Sequence, residues 1–245
     1  MKVDILVFGV HPDDIELGCA GTIIAAIAQG KKVAVVDLTQ GELGTRGTIE
    51  TRALEAAKAA KIMGLHAREN LKMRDGFFMN DEAHQLKIIQ VIRKYQPTII
   101  LSNAPDDRHP DHGRSCKLVS DAAFLCGLRK IETFDENGGQ QSAWKASYVF
   151  NYIQDKYIEP SFVVDVSKYH QQKIEAILCY QTQFHHPEDN SKEPSTYISS
   201  PQFLDTIKGR AAIFGKKIGV EFAEGFISNK WLGIQSFDAF ISNPT

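Results

Sequence analysis

Apolar and polar positions divide the first half of the chain into short apolar runs that alternate with longer mixed segments. Residues 3–10 and 32–38 carry few polar side chains, which is typical of strands buried on both faces of a parallel sheet. The longer segments are rich in helix-forming residues, and a glycine follows several of them, so they predict helices. The predicted strands span residues 3–10, 32–38 and 98–102, and the predicted helices span residues 20–29, 49–63, 83–95 and 111 or 112 to 125.

The second half of the chain is less regular. Residues 147–153, 161–166 and 220–227 predict strands, and residues 169–180 and 203–217 predict helices. Residues 185–202 form a long polar segment with three prolines, which is typical of a functional or disordered loop. The strand–helix alternation predicts an α/β fold, with a Rossmann-like, mostly parallel sheet, helices on both faces and an active site at the carboxyl ends of the strands. We expect one domain over residues 1–245.

The composition of the chain argues against nucleic-acid and membrane partners. The formal net charge is −2, and we find no concentrated basic face of the kind that binds nucleic acid. The N-terminus lacks the features of a signal peptide, and the longest apolar run is far shorter than the ~20 residues that span a bilayer. The four cysteines form no C-x-x-C pair, as expected of reduced thiols. We therefore expect a cytoplasmic protein with no membrane or nucleic-acid partner.

Two H-P-D segments carry the candidate chemistry. Residues 11–14 (HPDD) directly follow the first predicted strand, and residues 108–112 (RHPDH) follow the strand at 98–102 after a short loop. The carboxyl ends of parallel strands meet at one edge of a sheet, so both segments are expected there. Burying several carboxylates is unfavourable without a compensating partner, and a divalent cation would be such a partner.

Zinc catalysis needs three protein ligands and one open position for water. His11, Asp14 and His112 can supply two imidazoles and one carboxylate. Hydrolysis also needs a carboxylate that takes the proton of water, a histidine that hydrogen-bonds the oxyanion, and a carboxylate that orients this histidine. The residues left over for these roles are Asp13, His109 and Asp111.

Other interpretations of the histidines remain open. A lone H-P-D-D segment can be a turn whose aspartate caps the next helix, although two such segments at strand ends argue against this. Two histidines and one carboxylate also suit a non-haem Fe(II) oxygenase. The adjacent His185 and His186 lie in the polar loop and are interpreted as a solvated pair. His66, His84 and His170 have no partner motif and are predicted at the surface.

Other motifs in the sequence are weaker evidence of function. Arg46, Arg52 and Arg108 lie near the same predicted edge and could bind a substrate carboxylate, although each alone is more often a surface residue. The chain has no G-x-S-x-G elbow, no G-x-G-x-x-G after the first strand and no Walker A sequence. A serine hydrolase, a dinucleotide-binding enzyme and a P-loop nucleotidase are therefore disfavoured.

The two H-P-D segments together resemble those of the LmbE-like (PIG-L) zinc N-deacetylases. The resemblance also covers HPDDIELGCAGT at 11–22, GELGTRGT with a following arginine at 41–52, and FGKKIGVEFAEGF at 214–226. Family members remove acetyl groups from N-acetylglucosamine conjugates. Within the family, the chain is most similar to the deacetylases of bacillithiol biosynthesis, which implies N-acetylglucosaminyl-malate as substrate.

The resemblance also implies roles for individual residues. It implies zinc ligation by His11, Asp14 and His112, and Asp13 as general base. His109 would face the oxyanion and Asp111 would pair with His109. Arg52 matches a position linked to substrate or product binding, and the malate carboxylates would give Arg108 a similar purpose. A pocket tyrosine of the family has Tyr197 as its candidate, although alignment on residues 214–215 places Phe203 there.

The resemblance also implies an oligomeric state, and two other functions remain open. Relatives in this subgroup are hexamers, so the resemblance implies a homo-oligomer that acts on a small amino-sugar substrate. One rival is deacetylation of another amino sugar, such as a chito-oligosaccharide. The other rival is a non-catalytic protein that binds metal or sugar.

Overall fold

The computed structural model describes residues 1–185 and 193–240, and its centre is a seven-stranded sheet in the order β3-β2-β1-β4-β5-β7-β6. The first five strands of this order are parallel, and β7 runs antiparallel to both β5 and β6. The predicted α/β fold with a mostly parallel sheet is confirmed. The strands are β1 (Ile5–Gly9), β2 (Val33–Thr39), β3 (Ala67–Met73), β4 (Ile99–Asn103), β5 (Tyr148–Tyr152), β6 (Phe162–Asp165) and β7 (Ala223–Ser228).

Helices cover both faces of the sheet. One core lies between the sheet and α1, α2 and α5, and the other lies between the sheet and α3 and α4. Successive residues of β1 belong to opposite cores, which explains why its whole sequence is apolar. The helices are α1 (Asp14–Ala28), α2 (Ile49–Met63), α3 (Glu82–Tyr95), α4 (Pro110–Leu125), α5 (His170–Ile177) and α6 (Phe203–Ile218).

The sheet order creates a crevice between β1 and β4. The chain leaves β1 toward β2 on one side, and later returns to β4 on the other side of β1. The loops after these two adjacent strands therefore diverge, and this is where open α/β sheets bind ligands. The H-P-D-D segment follows β1 and the R-H-P-D-H segment follows β4, so the topology brings both to one place.

Helix α1 is interrupted one turn after its start. Cys19 has non-helical angles (φ −147°, ψ 17°), so the backbone groups on either side of the break need other partners. The Gly21 amide donates to Glu224 Oε1 at 3.0 Å, and Lys173 Nζ donates to the Leu17 carbonyl at 3.0 Å. Lys173 and Glu224 also form an ion pair at 2.6 Å, and both side chains are almost fully buried. This pair fixes the short first half of α1.

Three features differ from the sequence prediction. Strand β3 was not predicted, because it is a polar edge strand with the sequence ARENLKM. Helix α1 begins at Asp14 rather than at residue 20. The prediction missed its start because this segment contains Gly18 and the break at Cys19. His170 was predicted at the surface, but it is buried and its ring stacks on Phe222 with centroids 3.9 Å apart.

Residues 186–192 of the predicted loop at 185–202, and with them His186, lie outside the described residues. Across the described parts of the chain, each helix is too short or too polar to cross a bilayer.

Candidate active site

The loop between β1 and α1, together with the first residue of α1, carries three of the predicted site residues, and the backbone there is strained. Asp13 precedes α1 with φ 126° and ψ −25°, a region that non-glycine residues rarely adopt. Such a residue costs about 1–3 kcal/mol and persists only where its surroundings hold it. His11, Asp13 and Asp14 are all buried. A strained, buried carboxylate at a strand end is a mark of a functional site.

Asp14 is the centre of the site. Its Oδ2 accepts hydrogen bonds from the amides of Val10 and His11, both at 3.0 Å, and from Asn103 Nδ2 at 3.1 Å. Its Oδ1 accepts from Gln154 Nε2 at 2.8 Å. Burial alone would raise the pKa of Asp14, but the neighbouring histidines reverse this and hold it well below its usual value. Asp14 is therefore a fixed carboxylate.

The rings of His11 and His112 approach Asp14 from two sides. His11 Nδ1 lies 3.7 Å from Asp14 Oδ2, and His112 Nε2 lies 3.2 Å from Asp14 Oδ1. The other nitrogen of each ring is held by a carboxylate: His11 Nε2 by Asp75 at 2.9 Å and His112 Nδ1 by Asp107 at 2.7 Å. Carboxylates that hold the outer nitrogen in this way are characteristic of metal-binding histidines.

The acidic neighbours of these two rings favour positive charge on them. Burial disfavours the charged form of both rings, but the acidic neighbours outweigh it. The hydrogen bonds of Asp14 and Asp75 raise the pKa of His11 to about 9. The Asp14 charge and the Asp107 hydrogen bond raise the pKa of His112 to about 10. The site thus stabilises positive charge in the place where the two rings and Asp14 meet.

Asp13 has a different environment from Asp14. Burial raises the pKa of its carboxyl to about 7, although the charge of Arg52 opposes this shift. Its Oδ2 accepts a hydrogen bond from Arg52 Nη2 at 3.1 Å. A carboxyl group that titrates near neutral pH is suited to accept and return a proton during catalysis.

His109 stands beside the two other rings. Its centroid lies 4.7 Å from that of His11 and 5.4 Å from that of His112. Its Nδ1 accepts a hydrogen bond from the Asp111 amide at 3.3 Å, so the ring proton resides on Nε2. Burial and the charges of the other two histidines lower its pKa, which favours this neutral donor form.

The predicted pairing of Asp111 with the His109 ring is replaced by other contacts. Asp111 Oδ2 accepts from the Gly76 amide at 2.8 Å, and Oδ1 accepts from Arg114 Nη1 at 2.6 Å. These bonds turn the carboxylate toward the loop that follows β3. Asp111 therefore contacts His109 through its main chain, because its position in the first turn of α4 directs its side chain elsewhere.

The predicted substrate-binding residues occupy two different places. Arg52 is buried beside Asp13 in the wall of the site pocket. Arg108 and Tyr197 lie at the exposed rim, where the guanidinium stands over the tyrosine ring at 4.6 Å. The Asp155 carboxylate accepts hydrogen bonds from both residues, from Arg108 Nε at 2.9 Å and from the Tyr197 hydroxyl at 3.1 Å. Phe203, the other candidate for Tyr197's position, is buried against that ring.

A cavity of about 230 Å³ lies at this sheet edge and is lined by most of the predicted site residues. Its wall contains both H-P-D segments, together with residues of the loops after β2, β3 and β5. All the predicted metal ligands line it, as do Asp13 and His109. Asp75 and Gln154 also line it, and Asp107 contacts it through His112.

The donors around this cavity fit a divalent cation. The ring nitrogens of His11, His109 and His112 lie within 4.8 Å of one another, and so do donor atoms of His11, Asp75 and Asp111. Asp14 adds a carboxylate in contact with two of these rings. Nitrogen and carboxylate oxygen donors are those that zinc prefers in catalytic sites. The set of His11, Asp14 and His112 has the further support of the outer carboxylates.

Sequence reasoning missed the residues that orient the predicted ones. Asp75 was missed together with β3, after which it comes, although its Asp-Gly turn signal was available. Asp107 stands close to the R-H-P-D-H segment and could have been included with it. Asn103, Gln154 and Asp155 come from strand ends without a motif, so only the fold identifies them.

The fold and the site define a class of enzyme. Residues 6–123 match the model of the PIG-L family, GlcNAc-PI de-N-acetylase. The chain is also 30% identical, over 239 residues, to a diacetylchitobiose deacetylase of Thermococcus kodakarensis, with 93% of this chain and 84% of that protein covered. This chain therefore belongs to the PIG-L (LmbE-like) family of deacetylases.

Two further proteins are similar to this chain. A probable N-acetyl-alpha-D-glucosaminyl L-malate deacetylase 2 of Bacillus anthracis is 26% identical and covers 74% of this chain and 81% of its own length. The crystal structure of a conserved protein of Thermus thermophilus superposes with a TM-score of 0.83 at 33% identity, covering 96% of this chain and 98% of that one.

Proposed function

We propose that this protein is a zinc-dependent hydrolase that removes the N-acetyl group from an N-acetylglucosamine conjugate. The observation that carries the proposal is the junction of His11, Asp14 and His112, with Asp75 and Asp107 on the outer ring nitrogens. Asp13, in the same cavity, supplies a carboxyl group with a pKa of about 7. Family membership supports the reaction, and the donor set supports the metal.

The residues of the candidate site each have a task in this reaction. A bound cation would acidify the attacking water and polarise the acetyl carbonyl. Asp13 accepts a proton from that water and is suited to return it to the leaving amine. His109 donates its Nε2–H to the oxyanion that develops at the acetyl carbon, which requires no protonated ring. Asp75 and Asp107 keep the outer nitrogens of His11 and His112 occupied, which leaves the inner nitrogens to hold a cation if one is bound.

The identity of the sugar conjugate is a separate question. The malate conjugate expected from the sequence stays a prediction, and it would place Arg108 and Tyr197 against the malate end. The charges of the described cavity wall favour a neutral saccharide instead. Arg52 is bonded to Asp13 and Arg108 to Asp155, so a substrate carboxylate has to compete with an existing partner. The Thermococcus relative, named for diacetylchitobiose, supports the neutral alternative.

Acetate release by the purified, zinc-loaded protein tests the proposal. We expect release from at least one of diacetylchitobiose and N-acetylglucosaminyl-malate, with the neutral sugar preferred. In Asp13→Asn we expect turnover to fall by about 10²–10⁴-fold, the usual contribution of a general base, with zinc content unchanged. Tight zinc binding without acetate from either sugar would instead favour the non-catalytic binding protein.

Three expectations from the sequence stay predictions. These are the single domain over residues 1–245, the cytoplasmic location and the hexameric assembly. The four cysteines are free, which agrees with a reducing compartment. Sedimentation of the purified protein measures the assembly directly.

A further inference from the structure

The chain carries an exposed apolar segment after its last strand. Strand β7 ends at Ser228, and every one of residues 229–238, here called the C-terminal tail, is exposed. Trp231 is 97% exposed and Phe237 is 78% exposed. Leu232 and Ile234 in the same segment are also exposed. Contiguous apolar surface of this kind marks an interaction site on a folded protein.

An apolar groove lies between the end of α4 and the start of β5. This groove, here called the α4 groove, has a volume of about 310 Å³. Its wall contains Phe124, which is 73% exposed, together with Leu128, Ala146 and Val149. A ring of this size left in water beside an open groove indicates a second apolar surface that one copy of the chain leaves uncovered.

The C-terminal tail and the α4 groove lie at the same edge of the sheet. Strand β7 runs antiparallel to β5, and Ser228 pairs with Phe150 near the start of β5. Beyond Ser228, the Lys230 ammonium stands over the Tyr148 ring at 4.9 Å. The tail therefore leaves the sheet beside the first residues of β5, where the groove also lies. This edge is opposite the carboxyl ends of the parallel strands, which hold the candidate active site.

We propose that the C-terminal tail of one copy of this chain packs into the α4 groove of a second copy, which returns the same contact. An interface around a two-fold axis requires a surface that is complementary to itself. A chain that carries an apolar segment and an apolar groove at one edge meets this requirement. The interface is independent of the proposed function, because the candidate site lies at the other end of the strands.

Charge at the borders of the two surfaces is complementary. Lys145 lines the α4 groove, and the exposed Arg129 and Lys130 directly follow Leu128. The tail carries Asp238, whereas its own cation, Lys230, lies against the Tyr148 ring. Opposite charges at the rim of an interface steer the two partners together and fix their register.

The apolar area is sufficient for a stable pair of copies. Buried aromatic side chains remove about 150–250 Å² each from water, so Trp231, Phe237 and Phe124 would bury about 450–750 Å² in each copy. A stable interface of standard size buries about 800 Å² on each partner. Leu128, Leu232 and Ile234 are exposed on the same two surfaces and add to this area.

Sedimentation equilibrium of wild type, Trp231→Ala and Phe124→Ala tests both halves of the contact. We expect the wild type to associate, and each variant to raise the dissociation constant by about 30-fold or more, the usual effect of truncating an aromatic anchor. Zinc content should not change, because both residues are far from the candidate site. A monomeric wild type, or variants that associate as the wild type does, would overturn the proposal.

Leu54→Ala is the matched control. Leu54 is 65% exposed on α2, outside both the C-terminal tail and the α4 groove. We expect this variant to keep the dissociation constant of the wild type. A loss of association equal to that of Trp231→Ala would show that exposed apolar residues in general drive it, and would overturn the assignment to these two surfaces.

Disulfide cross-linking identifies the contact directly. Phe124→Cys and Trp231→Cys are prepared as separate proteins of different mass and mixed before oxidation, so only contact between copies can join them. We expect a reducible species of the summed mass, above the background of each variant mixed with wild type, in which Cys179 is partly exposed. No excess over that background would overturn the proposal. A double variant that cross-links only within one chain would also overturn it, because the tail would then fill its own groove.

Discussion

The contact between His11 and Asp75 links the predicted metal site to a residue that carries no motif. Asp75 Oδ1 forms a hydrogen bond with His11 Nε2 at 2.9 Å, and Asp75 Oδ2 accepts one from the Leu43 amide at 3.1 Å. The carboxylate thus fixes both a ring and the loop after β2. The pKa of Asp75 is lowered, since the His11 hydrogen bond and charge outweigh its burial. Asp75 therefore stays ionised and orients Nδ1 of His11 toward Asp14.

Asp75→Asn should weaken zinc binding by about 10–100-fold, the usual effect of losing a carboxylate behind a metal-binding histidine. Competition with a chelating dye measures this affinity. Asp81→Asn is the control, because Asp81 also meets a histidine ring, His84 at 2.7 Å, but at an exposed helix start. Equal zinc affinities in wild type and Asp75→Asn would contradict the role given to Asp75.

His170 gives a prediction for the pH dependence of stability. Burial, assisted by the charge of Lys173, lowers the pKa of its ring to about 4. The charges of Lys208 and Glu224 also act on it, in opposite directions, and its ring stacks on Phe222. Between pH 4 and the unfolded value of 6.5, the unfolded chain binds a proton that the folded chain does not. Stability is therefore lost as the pH falls through this range.

Comparison of wild type with His170→Phe isolates this effect. Phenylalanine keeps the stacking and cannot be protonated, so the thermal midpoint of the variant should fall less as the pH is lowered from 6.5 to 4. Thermal unfolding at several pH values measures the difference. Parallel curves for the two proteins would contradict the prediction.

At the scale of elements, the break in α1 depends on residues far away in sequence. Lys173 of α5 and Glu224 of β7 satisfy the backbone groups on both sides of Cys19. Thr22 strengthens the arrangement by donating through its amide and its hydroxyl to Glu224 Oε2, both at 2.7 Å. The first half of α1 carries Asp14, so these distant residues help to determine where that proposed ligand lies.

Lys173→Met should reduce the free energy of unfolding by about 3–5 kcal/mol, because it leaves the Glu224 carboxylate buried without its counter-ion. Urea unfolding measures the change. Lys94→Met serves as the control, since the Lys94–Glu69 pair is partly exposed and such pairs contribute at most about 1 kcal/mol. Equal losses in the two variants would contradict the importance of burial.

Elements differ in how far the sequence predicts them. Elements with a clear sequence pattern, such as the apolar run of β2 and the helix-forming segment of α2, lie close to their predicted positions. Strand β3 could not be predicted because its polar residues pack at an edge and form ion pairs, for example Arg68 with Asp37 at 2.8 Å. Asp75 follows β3, so the sequence analysis missed it for the same reason. The first turn of α1 was missed since Glu224 caps the helix break from the other end of the chain.

At the scale of the whole molecule, the candidate site joins parts of the chain that are distant in sequence. Its proposed metal ligands come from the ends of β1 and β4, and its remaining walls from the loops after β2, β3 and β5. Sequence reasoning located both H-P-D segments because parallel strands present their carboxyl ends on one edge. It could not show which carboxylates lie behind the histidines, since that depends on the strand order.

Zinc should stabilise the fold as a whole, because its ligands are brought together only in the folded chain. At a free zinc concentration about one hundred times Kd, the gain is about 2.7 kcal/mol. Thermal unfolding of the metal-free protein, with zinc added stepwise, measures this gain as a rising midpoint. His112→Ala should abolish most of the rise. A wild-type midpoint that does not respond to zinc would contradict the metal site.

The position of β1 between β2 and β4 also has a consequence for synthesis of the protein. The ribosome produces His11 and Asp14 early, but the neighbouring strand β4 and the proposed ligand His112 emerge only after β2 and β3. A nascent chain that ends before α4 can pair β1 with β2 but has only two of the three proposed ligands. If these residues hold zinc as proposed, metal loading would have to follow the emergence of α4.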